Sequence, residues 1–467
     1  MPEQYVASGR PKVEPPRRPS RSVYYRRRLL VTALAATAVV VGLGVSAPGL
    51  SGHERRPDVA APRSHGAARR HAGRSAARVP GTARLPGGAP GRPGLAGARA
   101  TDRSAGRAGV RHTSSRADSG RHKATFLRAV ASGAPTYLAP GSDPSVLPGP
   151  VLIADKLNNR LVVVGSRGHI RWIWPQPGDL AAGQTFLEPD DAFFSPDGRY
   201  IVATQEDDFV ITVIDVATGK IVWRYGHPGV AGSGPGYVWN PDDAMALRDG
   251  ELISADIKNC RIIRIPFGAD NISWENGIVG SCTHNPPRQY GSPNGVFPMP
   301  DGRFLVTEIN GDWVDDIDAS GHVYWSTNPP GVNYPSDSNQ VGPNRFMTVD
   351  YSDPGQIVVF NRAGRALWRY APTTGAPAEL DHPSLAMGLP NGDILLNDDY
   401  DHRVIVVDPA TDKIVWQYGH DGVAGSAPGY LDNPDGVDLL PPYSYADRYQ
   451  PRVAPARTLA KGPGQGH

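Results

Sequence analysis

The chain has 467 residues and a formal net charge of +2, from 48 Lys/Arg against 46 Asp/Glu. The near-balance conceals a split. Residues 1–125 hold 24 Lys/Arg and 6 Asp/Glu, which leaves 24 and 40, a net −16, for residues 126–467. So acidic a folded part repels phosphates and excludes nucleic acid as its partner, and two cysteines are too few for a disulfide scaffold or a metal-type cysteine motif.

Residues 1–28 read as a basic tail ending in Arg26-Arg27-Arg28, and the apolar run Leu29–Val45 follows directly. Positive charge on that flank keeps the N-terminus in the cytoplasm and exports the rest. Residues 29–47 are therefore expected to form a single transmembrane signal-anchor helix. Cleavage after Val45-Ser46-Ala47, giving a secreted protein, is the alternative. Pro48 directly after that cut, and the length of the run, favour the anchor. Residues 48–134 are an Arg/Ala/Gly/Pro-rich linker expected to be disordered. About 75 such residues would span roughly 50 Å as a coil, close to anionic lipid or cell-wall polymer. The folded region is expected over 135–445, with a disordered tail at 446–467.

Inside that region a tryptophan closes the same short pattern six times, at Trp172, Trp223, Trp274, Trp325, Trp368 and Trp416, in steps of 51, 51, 51, 43 and 48 residues. Prolines run in phase with it: Pro189, Pro241, Pro293, Pro335, Pro383 and Pro434. From opening proline to tryptophan the distances are 34, 33, 32, 33 and 33. Such a period with strand-like content means four-stranded blades. Pro434 has no tryptophan after it, and Trp172 has no proline before it. A ring resolves both, with the strand near Asp435–Leu440 joining the blade begun by Val151–Val164. Closure also removes the free sheet edges. The predicted fold is all-β, a six-bladed β-propeller closed by its N- and C-terminal strands, preceded by a transmembrane helix and a disordered linker. It is expected to be monomeric.

Each blade reads as four antiparallel strands. The second ends in an acid at Asp155, Asp256, Glu308, Asp350 and Asp398, and the third sometimes opens on an arginine, as at Arg160, Arg261 and Arg403. Cys260 and Cys282 lie at neighbouring strand ends, which predicts a disulfide; two free buried thiols are the alternative. Because the first and second strands run antiparallel, both acid sets fall on one face. Around the channel mouth lie Asp190, Asp191, Asp242, Asp243, Asn294, Asp337, Asp381, His382 and Asp435. An Asp at a strand start often serves turn amides alone. As a set, these groups suit a polar or cationic ligand or a partner protein at the propeller face. Asp243, Asn294, Asp337 and Asp435 form a hard-oxygen set suited to calcium rather than zinc.

The Gly-rich connectors YGHPGVAGSGPGYVW (Tyr225–Trp239) and YGHDGVAGSAPGYL (Tyr418–Leu431), with "NPDD" and the "AD…NNR" and "AD…NCR" runs, resemble NHL-type propeller repeats. The strands "GKIVWRYG" and "DKIVWQYG" resemble those of quinoprotein-like and arylsulfotransferase-like propellers. The resemblance to arylsulfotransferase-like propellers implies a channel histidine, carried here by His382 alone, with mostly acids and amides in the equivalent slots. No Gly-x-Ser-x-Gly, His-Glu-x-x-His or Walker motif is present. The expected function is a ligand-binding or sensor module with an acidic, calcium-competent face. The alternative is a propeller enzyme, either a metal-dependent hydrolase or lyase or a sulfotransferase using His382.

Overall fold

The computed structural model describes residues 133–448. The basic tail, the anchor, most of the linker and residues 449–467 lie outside the described residues. Among the described residues no helix is long and apolar enough to cross a membrane.

The described residues form a six-bladed β-propeller of antiparallel sheets. The first blade holds β1 (Val151–Asp155), β2 (Arg160–Val164) and β3 (Ile170–Trp174). The second holds β4 (Ala192–Phe194), β5 (Tyr200–Gln205), β6 (Val210–Asp215) and β7 (Lys220–Gly226). The third holds β8 (Pro241–Ala246), β9 (Glu251–Asp256), β10 (Arg261–Pro266) and β11 (Trp274–Gly277). The fourth holds β12 (Pro293–Pro298), β13 (Phe304–Glu308), β14 (Trp313–Ile317) and β15 (Val323–Thr327). The fifth holds β16 (Pro335–Gly342), β17 (Arg345–Asp350), β18 (Gln356–Phe360) and β19 (Ala366–Tyr370). The sixth holds β20 (Ala386–Gly388), β21 (Ile394–Asp398), β22 (Arg403–Asp408) and β23 (Lys413–Gly419). The last strand, β24 (Pro434–Leu439), pairs with β1 and gives the first blade its innermost strand, so the ring closes as the repeat phase requires.

The register sets the face. Pro434 opposes Asp155, Pro241 opposes Asp256, Pro293 opposes Glu308 and Pro335 opposes Asp350. Opening prolines and strand-ending acids therefore share one end of the disc. The acids fasten the blade there. Arg160, Arg261 and Arg403 donate through Nε to Asp155, Asp256 and Asp398 at 2.6, 2.8 and 2.8 Å. The same carboxylates accept the amides of Asp432, Trp239 and Asp381 in the connectors leading to the inner strands. These three acids are thus satisfied within the fold.

In three blades a tryptophan ties the sheet to the next. Trp416 donates its indole N–H to the Ser166 carbonyl at 2.8 Å, and Trp368 to Asp412 Oδ1 at 3.0 Å. In the first blade it is Trp174, fully buried, that reaches the Gly219 carbonyl at 2.7 Å. Apolar strand residues fill the wedges between these sheets.

The other end of the channel is plugged. The described residues run three past the boundary expected at 445, and Tyr445–Arg448 form a helical turn. Tyr445 is fully buried, edge-on to Phe193 and Phe297 at 5.7 and 5.0 Å, and its hydroxyl donates to the Ala386 carbonyl at 2.7 Å. Arg248 pairs with Asp447, and Arg448 donates to the Gly388 carbonyl. Five of the six inner strands or their exits are gathered by one turn, which makes the channel a well open only on the acidic face.

Cys260 and Cys282 are bonded across 22 residues with Cα atoms 5.0 Å apart. The bridge ties the start of β10 to the connector beyond β11. Replacing both by serine is expected to lower unfolding stability by about 3 kcal/mol from loop entropy. Urea titration of the oxidised wild type and the double variant checks it, and equal midpoints would contradict it.

Candidate functional site

The bottom of the well is built by two rings of side chains, one from each kind of strand end. The first is the residue after each opening proline: Asp190, Asp242, Asn294, Ser336, Ser384 and Asp435, and all six line a cavity of about 120 Å³. The second ring is the residue after each second strand. There Lys156, Glu206, Ile257, Ile309 and Tyr351 line the same cavity, and Asp399 stands fully buried at the sixth position.

A third set lies just behind the first ring, two residues after the proline. In order round the disc it reads Asp191, Asp243, Gly295, Asp337, Leu385 and Gly436. Register irregularities at the start of β8, β12, β16 and β24 turn this part of the inner strand toward the axis. Asp243 itself has φ 51°, in the left-handed region, a cost that other structure must offset. The two glycines make room for the neighbours' carboxylates. A Cβ on Gly295 would sit 2.6 Å from Asp337 Oδ1 and 2.8 Å from Asp243 Oδ2, and one on Gly436 would sit 2.6 Å from Asp191 Oδ1. The absence of a side chain at these positions is therefore part of the site.

The charges divide the well in two. On one side Lys156 bonds both Asp190 and Asp435, with Glu206 at 4.0 Å. Burial pushes the Lys156 ammonium down, but the carboxylates beside it outweigh burial and hold it above its ordinary range. Burial likewise raises Asp435, but Lys156 wins and sets it at about 2. Asp190 stays raised, by burial and then by the charge on Asp435, despite Lys156. Asp399 is also raised, by burial and then by Asp435.

The opposite side has four carboxyls, none ion-paired to a lysine among the described residues, although the exposed Lys258 also lines the cavity. Asp191, Asp242, Asp243 and Asp337 are each pushed well above the usual carboxylate range, first by burial and then chiefly by one another's charge. Oxygens of Asp191, Asp243 and Asp337 come within 4.8 Å of one another, as do those of Asp190, Asp191 and Asp242. One oxygen on each of Asp191, Asp243 and Asp337 is buried without a hydrogen-bond donor, as is the Thr307 hydroxyl nearby. Such a group must bind a cation, hold protons, or destabilise the fold.

The expected site residues thus separate. Asp243 and Asp337 come together, joined by Asp191. Asn294 lines the cavity and turns its amide to Ser336 Oγ at 3.1 Å. Asp435 is held by Lys156. Asp381 and His382 stand at the mouth, not among the cavity-lining residues. His382 Nδ1 lies 2.6 Å from Asp381 Oδ1, and its ring lies 4.4 Å from Tyr400 and 4.8 Å from Tyr351. Its slot before the opening proline also has a backbone role: Glu188, Asn240, Ser292, His382 and Asn433 there all have φ between 44° and 58°.

Lys156, Glu206, Tyr351 and Asp399 were missed from the sequence. They follow their strand's terminal residue by one, and Lys156 and Glu206, like the equivalent Ile257, open a short 3-10 turn. That offset is the available signal, but five different residue types at six equivalent positions hide it.

Residues 268–427 match the family model described as outer membrane protein assembly factor BamB. That stretch is about a third of the chain and carries a propeller repeat signal. No curated protein matches. Among solved structures, a protein of unknown function from Bacteroides caccae is 14% identical, covering 62% of this chain and 98% of its own, at a TM-score of 0.44. A chain of the nidogen/laminin complex gives 13%, 62%, 98% and 0.44, and a streptogramin B lyase gives 18%, 52%, 74% and 0.38. At these identities and scores the likeness carries no functional argument.

Proposed function

We propose that the chain is a membrane-tethered, extracytoplasmic binding module. Its acidic well takes a hard divalent cation, calcium first, and the loaded face receives a polar ligand or a partner protein. The observation that supports this is the trio Asp191, Asp243 and Asp337, buried together with donorless oxygens in space left by Gly295 and Gly436. Oxygen ligands suit calcium over softer ions. The basic segments before the propeller and the apolar run Leu29–Val45 support the tether.

Calorimetric titration of calcium into the chelator-treated full chain tests the reading. Binding is expected in the wild type. It should weaken at least tenfold, about 1.4 kcal/mol, in Asp337→Asn or Asp243→Asn. Equal binding by wild type and both variants would overturn it.

A second reading, a propeller enzyme, rests on the Asp381–His382 pair, whose imidazole lies edge-on to Tyr351, which itself lines the cavity. An oriented imidazole at the mouth has the parts of a general base. His382→Ala should leave calcium binding intact and abolish turnover in a screen of lactone, ester and aryl sulfate substrates. A wild type with no turnover on any of them removes this reading.

A further inference from the structure

The fourth blade breaks the rule that fastens the others. Its strand-ending acid, Glu308, is opposed by Trp313, where other blades place an arginine or a glutamine opposite the acid. Two positions on, β14 carries Asp315 where β2, β10, β18 and β22 carry Val162, Ile263, Val358 and Ile405. Two fully buried carboxyls therefore face each other without a guanidinium.

The third member comes from the connector. His284 lies two residues beyond Cys282, so the disulfide holds its segment in place. Its Nδ1 is 3.0 Å from Glu308 Oε1 and 3.9 Å from Asp315 Oδ2, and all three ligand atoms fall within 4.8 Å. The Trp313 ring stacks on the imidazole at 4.0 Å and 6°. Glu308 Oε2 accepts the Gly291 amide, and Asp315 Oδ1 accepts the Ser326 hydroxyl. Asp315 Oδ2 is buried with no donor on it. The Tyr290 hydroxyl is also buried without a partner, and it is close enough for the charges of both carboxyls to act on it after burial.

We infer that His284, Glu308 and Asp315 form a second metal site, distinct from the central well, which takes a first-row transition ion such as zinc. The donor set is one imidazole and two carboxylates. Tetrahedral ligands 2.0–2.2 Å from zinc lie roughly 3.4 Å apart, and the distances of 3.0 and 3.9 Å bracket that value. Two carboxylates neutralise a divalent ion. The imidazole selects against calcium and magnesium. His284 is the partly exposed member, so the fourth ligand position opens to solvent beside it. Burial, then the hydrogen bond and charge of Asp315, raise Glu308 to about 10.

The test is calorimetric titration of zinc chloride into the chelator-treated full chain at neutral pH. Histidines of the tails supply weak sites common to every variant. A tighter one-to-one site should appear in the wild type and in Asp337→Asn, the central-well variant. It should weaken by more than the 10–100-fold that loss of an outer partner costs in His284→Gln and in Asp315→Asn. Trp313→Phe should keep the heat and lose the accompanying fluorescence change. Superimposable isotherms for wild type, His284→Gln and Asp315→Asn would overturn the inference and leave a proton shared between two carboxyls. Loss of the site in Asp337→Asn alone would place the zinc in the central well and overturn it equally.

Discussion

Lys156→Met is expected to destabilise the propeller by about 3–5 kcal/mol at pH 8, the range for removing one partner of a buried charge pair. Lys156 is the cation that Asp190, Asp435 and Glu206 share, and its side chain is 11% exposed. Without it, Asp435 loses the charge that holds it near 2 and joins the raised carboxyls around it. The sign with pH follows. A carboxyl with a depressed folded pKa adds stability above its unfolded value and loses it as pH falls through the folded one. A carboxyl with a raised folded pKa is stabilising at low pH, and that contribution is lost as pH rises. The variant converts Asp435 from the first kind to the second. Its deficit should therefore be larger at pH 8 than at pH 5. Urea midpoints of both proteins at the two pH values measure this, and a deficit below 1 kcal/mol or independent of pH would contradict it.

Tyr445→Ala is expected to cost about 3–5 kcal/mol, the range for deleting a fully buried aromatic ring. The ring packs on Phe193 and Phe297, from the second and fourth blades. Asp438, buried in β24, accepts the amides of Phe194, Leu439 and Tyr445, so the same turn fixes the strand that closes the ring. Tyr445→Phe should cost no more than about 1 kcal/mol, because the Ala386 carbonyl keeps the Asn339 amide at 2.6 Å. Thermal melts of the three proteins check the order. A Tyr445→Ala protein as stable as Tyr445→Phe would show that the turn is not a plug.

The fold was legible because its signals repeat. Six tryptophans and six prolines in phase locate every blade, and the unmatched Pro434 and Trp172 locate the closure. The acids after the prolines were legible for the same reason. What was hidden had no repeat to carry it. Lys156 stands where its equivalents are Glu206, Ile257, Ile309, Tyr351 and Asp399, so the position is conserved in geometry but not in chemistry. Tyr445 lies beyond the last repeat. His284 belongs to a connector with no counterpart, and becomes conspicuous only once Glu308 is found opposite Trp313 instead of an arginine. Asp381 and His382 read as rim residues and stand at the rim. Their distance from the carboxyl trio depends on side-chain directions at left-handed backbone positions, which a repeat pattern does not encode.

Calcium titration at two pH values tests the central claim most directly. In the ion-free well burial and mutual repulsion raise Asp191, Asp242, Asp243 and Asp337, which favours their protonated forms. A cation competes with those protons, so affinity should rise with pH. Calorimetry on the chelator-treated full chain should find calcium binding at pH 8, binding at least tenfold weaker at pH 5, and at least tenfold weaker binding at pH 8 in Asp337→Asn. No heat at pH 8, or heat unchanged by that substitution, would mean that the carboxyls at the hub of this ring serve the fold alone.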